Sequence, residues 1–433
     1  MTSYEIMKKY LFLTVCTFSI YVFFSCNENE LFELSPNLEA SNHSYEDQFK
    51  AIWAAVDMNY PIWDYERDEY SLNWDDVYDE YLPKFREQDL KYKETGDTVC
   101  WLIVQNLYYS LFNKLHDGHI NFKIKDIYTD KEASLMNAVN YLQAIIYGLT
   151  YYIYTIRLNN YQKENPSGHL LLDIKDSSDG SYQYAYFKGG IVYLHFLNFD
   201  LSSLLAKANR TSDEQSTVDV WQTWFDKIQD LHHNNKLKGV ILDVRTNLGG
   251  NAIDYKYFLG ALHGDIDGSG GVQTGYYRMK SGIGRYDYMD NVMINGDNCT
   301  YYPYEGIHVN VTAPIIVLAD SLSASMAEQT CLAAKKIPNA YVVGTQTSGA
   351  FSPLTDGEND NHFTKWGNIG DPKLETSSFY IKMPFAAFVS HDGKILEGKG
   401  VEPDKQVFDN DVNRDMQLEY ALDFISILNN VQH

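Results

Sequence analysis

Pro314-Ile315-Ile316-Val317-Leu318-Ala319-Asp320 runs directly into Ser321-Leu322-Ser323-Ala324-Ser325-Met326-Ala327-Glu328. The apolar, β-branched half reads as a buried strand. A serine followed three residues later by a glutamate, ahead of Cys331, Leu332, Ala333 and Ala334, reads as the start of a helix. A serine at such a junction stands at the positive end of a helix, where an alkoxide and an oxyanion are both favoured. Ser325 is therefore a candidate nucleophile, with simple helix capping as its plain alternative.

The flanking chain repeats the pattern. After Lys188-Gly189-Gly190 the sequence predicts a strand over 191–196, an amphipathic helix over 212–232, a buried strand over 237–244 and a helix over 251–262. Beyond the quoted stretch it predicts a helix over 325–336 and a strand over 340–343. Alternating β and α segments with near-continuous apolar strands imply an α/β (α+β) fold around a parallel-rich sheet covered on both faces. Ligands of such sheets lie at the carboxyl ends of the strands, where Ser325 falls. Residues 264–312, rich in Gly, Tyr and Asp, read as a β-ribbon or long loop.

Ahead of this core, Phe49, Ile52, Trp53 and Val56, then Trp74, Val77, Tyr78 and Tyr81, then Trp101, Val104, Leu107, Tyr108, Leu111, Phe112 and Leu115 recur at helical spacing. The expected organisation is a leader over 1–26, a tether over 27–43, an N-terminal helical domain over 44–123, a variable insertion over 124–185, a catalytic β/α domain over 186–410 and a C-terminal helix over 411–433. Within the insertion, 141–156 is apolar and tyrosine-rich, and helix and strand both remain open.

The 433 residues carry 35 basic and 58 acidic side chains, a net charge of −23, which disfavours a nucleic-acid partner. The five cysteines form no C-x-x-C pair, so neither a disulfide framework nor a zinc knuckle is implied. Lys8 and Lys9 precede an apolar stretch over 10–24 that ends in Ser25-Cys26. The stretch is too short to span a bilayer comfortably and suits a signal peptide. Its end resembles the lipobox of bacterial lipoproteins, which implies cleavage before a lipidated Cys26, a lipid anchor in the membrane and a place in the cell envelope, periplasmic or surface-exposed. An ordinary secretory cut is the alternative.

Three further stretches carry polar chemistry. Gly239-Val240-Ile241-Leu242-Asp243-Val244-Arg245-Thr246-Asn247-Leu248-Gly249-Gly250-Asn251 places two glycines after a strand, where free N–H groups can face an anion; it has neither a dinucleotide nor a P-loop signature. Leu115-His116-Asp117-Gly118-His119 offers a candidate base. Two histidines at that spacing could also ligate a metal, but no third ligand pattern accompanies them, so neither a metal nor a cofactor is expected. Leu396-Glu397-Gly398-Lys399-Gly400-Val401-Glu402-Pro403-Asp404 reads locally as a solvated acidic turn.

Together and in this order, these stretches resemble the tail-specific (C-terminal processing) serine peptidases, in the branch with the tricorn core and interphotoreceptor retinoid-binding protein. The resemblance covers about residues 45–405 and implies a ClpP/crotonase-like core. It selects Ser325 over Ser323 as nucleophile and assigns the oxyanion hole to the N–H of Met326 and one from Gly249 or Gly250. Processing peptidases pair the serine with a lysine after G-x-x-T-x-G, but Gly344-Thr345-Gln346-Thr347-Ser348-Gly349 is followed here by Ala350. The tricorn-like branch instead implies His119 as base and Glu397 as its orienting carboxylate. Gly118 stands where tricorn has a serine, and the glycine-aspartate signature of a PDZ insertion is missing from 124–185. The implied function is a serine peptidase acting on peptide or protein substrates. The alternative is an inactive surface lipoprotein that binds a peptide, glycan or apolar ligand on a peptidase scaffold. Cleavage preference and oligomeric state are not encoded in any recognisable feature.

Overall fold

The computed structural model describes residues 41–136, 158, 161, 168–264, 271–282, 284–288, 300–301, 308–354, 373–409, 411 and 414–431. Cys26, the leader, most of the tether and residues 141–156 lie outside them.

Four helices open the described chain: α1 (Tyr45–Asn59), α2 (Trp63–Tyr70), α3 (Trp74–Thr95) and α4 (Val99–Phe112). Their stripes bury Phe49, Ile52, Trp74, Val77, Tyr81, Val104 and Tyr108 in one apolar cluster. Ser44 caps α1 and Asn73 caps α3, each accepting a backbone N–H two or three residues on. This cluster also takes in Phe122 and Ile124 of β1 (Asn121–Lys125) and Phe379 and Ile381 from much later in the chain.

The rest of the architecture follows in order: β2 (Glu132–Met136), β3 (Leu171–Asp176), β4 (Tyr182–Phe187), β5 (Ile191–Phe196), α5 (Leu201–Ala206), α6 (Ser212–His233), β6 (Gly239–Asp243), α7 (Leu259–Leu262), β7 (Val272–Gln273), β8 (Gly275–Arg278), β9 (Thr300–Tyr301), β10 (Ile315–Ala319), α8 (Met326–Ala334), β11 (Ala340–Gly344), β12 (Lys373–Glu375), β13 (Phe379–Lys382), β14 (Ala387–Ser390), β15 (Lys405–Gln406) and α9 (Met416–Val431). Seven strands form the main sheet in the order β15-β11-β10-β6-β5-β4-β3. From β5 to β15 the pairs are parallel; β4 pairs antiparallel with β5 and β3.

Both faces of this sheet are covered, which is why β10 is apolar throughout and β6 is apolar up to the buried Asp243 at its end. Val240, Leu242, Ile315 and Val317 pack with Trp221, Trp224 and Phe225 of α6 and Cys331 and Ala334 of α8. The alternate residues Ile241, Ile316 and Leu318 pack with Leu418, Ala421, Leu422 and Ile425 of α9. α6 begins as its sequence dictates, with the Thr211 hydroxyl and the Glu214 carboxylate each accepting the other residue's backbone N–H. α9 is fixed to the end of β6 by a fully buried guanidinium: Arg245 bonds Asp243 and, at 2.7 and 2.8 Å, Asp415.

Three expectations need correction. The helix expected over 251–262 is instead a 3₁₀ stretch (Ala252–Tyr257) followed by the single turn α7, broken at Phe258. The helix expected from 325 starts at Met326, with Ser325 outside it as the N-cap. A second sheet, β12-β13-β1-β2, was not foreseen: β1 pairs with β13 more than 250 residues away and ties the helices to the later chain.

The approach of α9 is close enough to require glycine at 239. A Cβ there would lie 2.7 Å from Ile425 Cγ2 and 2.8 Å from its Cδ1. Gly239→Ala should destabilise the protein by about 1–3 kcal/mol. In denaturant titrations the loss should shrink when Ile425→Ala is combined with it, since the two share one contact.

Candidate functional site

The junction after β10 sets the position of Ser325. Asp320 Oδ1 accepts the N–H groups of Thr246 and Leu322, both at 3.0 Å, and pins the β10 turn to the turn after β6. Ser323 is fully buried and donates its hydroxyl to the Val244 carbonyl at 2.7 Å, so it is committed to the scaffold. Ser325 is partly exposed and holds a left-handed backbone, with φ 55° and ψ −115°. Such a conformation in a non-glycine residue costs of order 1–3 kcal/mol and persists only where its surroundings enforce it.

Those surroundings are identifiable. The Ser325 N–H is shared between the Ala350 carbonyl (3.0 Å) and Glu328 Oε2 (3.0 Å). Glu328 is fully buried, and its carboxylate also accepts Thr347 Oγ1 (2.6 Å), Gly349 N (2.7 Å) and Ala350 N (2.8 Å). Burial raises its pKa to about 7, against the lowering pull of these donors. Glu328, read from sequence only as a helix-start residue, thus fastens the Ser325 junction to the strap 347–352.

The double-glycine turn lies against the same serine. A Cβ on Gly249, whose φ is 94°, would sit 2.5 Å from Ser325 Cβ and 2.9 Å from Met326 N. The Gly249 N–H is already given to Asn247 Oδ1 at 2.8 Å, while Asn247 Nδ2 donates to the Phe196 carbonyl at 2.8 Å. Gly250, at φ 139°, bridges Phe199 and has no room for a side chain there.

The far end of the strap carries the other candidates. Glu397 is fully buried, contrary to the solvated turn its local sequence suggests, and its Oε2 accepts Phe351 N (3.1 Å) and Ser352 N (2.8 Å). Helix α2 encloses it. Tyr65 donates to the Glu397 carbonyl at 2.8 Å, and Lys399 pairs with Glu69 at 2.6 Å. Glu402 is exposed, and Asp404 is held by Lys335 and the Val342 N–H, so neither competes for this position.

Asp117, His119 and Glu397 each present a donor atom within 4.8 Å of the others. His119 Nδ1 and Glu397 Oε1 are buried and make no hydrogen bond. Burial lowers the imidazole to about 4, helped by Lys382 and opposed by the Ser352 backbone. Gly118 packs against the strap: a Cβ would fall 2.9 Å from Ala350 Cβ. The pairing of His116 with His119 considered from sequence is not formed. His116 Nδ1 lies 2.9 Å from Glu66 Oε2, its ring stacks on Tyr70 with 3.4 Å between centroids, and its N–H also goes to Glu66.

The strap therefore brings two groups of the expected residues to its two ends: Ser325, Met326 and Gly249 at one, His119 and Glu397 at the other. Sequence reading missed Asp117 and Glu66, both buried carboxylates. The family pattern described as Peptidase family S41 matches residues 190–407, just over half of the chain. The chain belongs to Peptidase family S41. The S41 core is similar in fold to a solved protein from Parabacteroides merdae described as a candidate peptidase, with TM-score 0.57 and 19% identity over 88% of this chain and 96% of that one. It is also similar to mature CPAF, with TM-score 0.52 and 12% identity over 89% and 96% of the two chains, and to CPAF complexed with lactacystin, with TM-score 0.51 and 12% identity over 90% and 98%. No curated protein matches this S41 chain.

Because Glu328 accepts four donors, an amide in its place would point N–H groups at N–H groups. Glu328→Gln should destabilise the protein by about 1–3 kcal/mol, and hydrogen exchange should speed up selectively at Gly349 and Ala350.

Proposed function

We propose that this S41 protein is a serine-type peptidase that cleaves peptide bonds through an acyl-enzyme on Ser325. The observation that carries this is the strained, partly exposed Ser325 at a helix N-terminus, pressed against a glycine turn and joined by one strap to a half-buried His119 beside the buried Glu397. In this reading Ser325 Oγ attacks the scissile carbonyl carbon while its proton passes to His119. The oxyanion is received by the N–H groups of Met326 and Gly250; Gly249 is the weaker candidate of the glycine pair because Asn247 already takes its N–H. His119 then returns the proton to the departing amine as the C–N bond breaks, and water releases the acyl group by the same route.

Glu397 is the orienting carboxylate, meeting Nδ1 with Oε1. These two atoms lack hydrogen bonds in the free protein, and such contacts commonly tighten once substrate is bound. Peptides or proteins are the substrate class. Attachment to the cell envelope through a lipidated Cys26 belongs to the same reading and rests on the leader sequence.

Ser325→Ala should lower peptide hydrolysis by at least about a thousandfold with its melting temperature little changed, whereas Ser323→Ala should mainly lose stability. Because a buried imidazole is harder to protonate, kcat/KM should rise with pH through an acid limb whose midpoint lies below about 6.5. Full activity in Ser325→Ala would exclude the mechanism. Peptide binding without turnover in the wild-type protein would instead favour the binding role of the scaffold.

A further inference from the structure

Two carboxyl groups, not one, flank the imidazole. Asp117 is 2% exposed, and its Oδ1 accepts the N–H of His119 at 2.7 Å. Its donor atom lies within 4.8 Å of those of His119 and Glu397. We propose that Asp117 is a positioning residue that holds one proton in common with Glu397, so that the pair presents a single negative charge to His119. The proposal rests on the reading of His119 as the base.

The physical argument is one of charge count. Two buried carboxylates this close cannot both ionise cheaply, because each loses hydration and repels the other. If both were charged, they would hold the imidazole protonated and unable to accept the Ser325 proton. If both stayed neutral, the imidazolium formed during attack would have no counter-charge. One shared proton gives a neutral base at rest and one compensating charge in the transition state. The macroscopic steps then belong to the pair rather than to either residue.

Both carboxyl groups are held by donors: Glu397 Oε2 takes the Phe351 and Ser352 N–H groups, and Asp117 takes the His119 N–H with the Tyr60 hydroxyl beside it, while facing the buried carboxylate of Glu66. Burial raises both groups; the Glu66 carboxylate adds to the rise of Asp117, which reaches about 7, and Asp117 adds to that of Glu397. The other titratable or charged groups around them are Tyr60 on the α1–α2 connection, Glu66 on α2, Glu328 on α8 and Lys382 on β13. Tyr60 stays a neutral donor, because burial raises its pKa, and it hydrogen-bonds Glu66 at 3.0 Å.

The test follows the ring nitrogens of His119 by NMR in ¹⁵N-histidine-labelled full-length protein, with EDTA present and the signals assigned through His119→Gln. The wild-type ring should register two separate carboxyl steps, one of them near pH 7. Asp117→Asn, which keeps the Oδ1 acceptor for the His119 N–H, should leave a single step. Glu397→Gln should also leave one, which keeps the test open if the first variant does not fold. Superimposable profiles in wild type and both variants would overturn the proposal. The titration needs no substrate, so it is readable whether or not the protein hydrolyses peptides. Where hydrolysis is measured, Asp117→Asn should lower kcat with little change in KM.

Discussion

The candidate site is held together by one buried carboxylate. Glu328 gathers the N–H groups of Ser325, Gly349 and Ala350 and the hydroxyl of Thr347 around one carboxyl group. Those bonds force Ser325 into its left-handed conformation and anchor the near end of the strap. At the far end Glu397 performs the matching task for Phe351 and Ser352. Between them, Ala350 touches both sides, accepting from the Ser325 N–H and packing against Gly118. The Ser325 junction and the His119 segment are far apart in sequence, and this short strap is what relates them.

Much of this was legible in the sequence for a physical reason. Strands buried on both faces of a parallel sheet are predominantly apolar, so β10 and the 240–242 run of β6 announce themselves. The Ser325-x-x-Glu328 spacing announces a helix start, and the paired glycines announce close backbone approach, which the 2.5 Å separation of a Gly249 Cβ from Ser325 Cβ makes concrete. The α/β core and the family resemblance both follow from these stretches.

What stayed hidden was set by distant partners. Glu397 sits among glycines and a lysine and reads as solvated, yet α2 covers it through a hydrogen bond spanning 332 positions. β1, Asn-Phe-Lys-Ile-Lys, is too short and too charged on one side to declare a strand until β13 pairs with it. Nothing in the local sequence marks Asp117 and Glu66 as buried; only the folded chain removes them from water. In each case the deciding term was long-range burial, which local periodicity does not encode.

Ser325 and the turn that faces it are examined together by a crystal structure of the protein after reaction with a fluorophosphonate. The expected result is a phosphorus–oxygen bond to Ser325 Oγ, with the phosphoryl oxygen about 2.7–3.1 Å from the N–H nitrogens of Met326 and Gly250. An unmodified Ser325, an adduct on another serine, or a phosphoryl oxygen turned away from both N–H groups would contradict it.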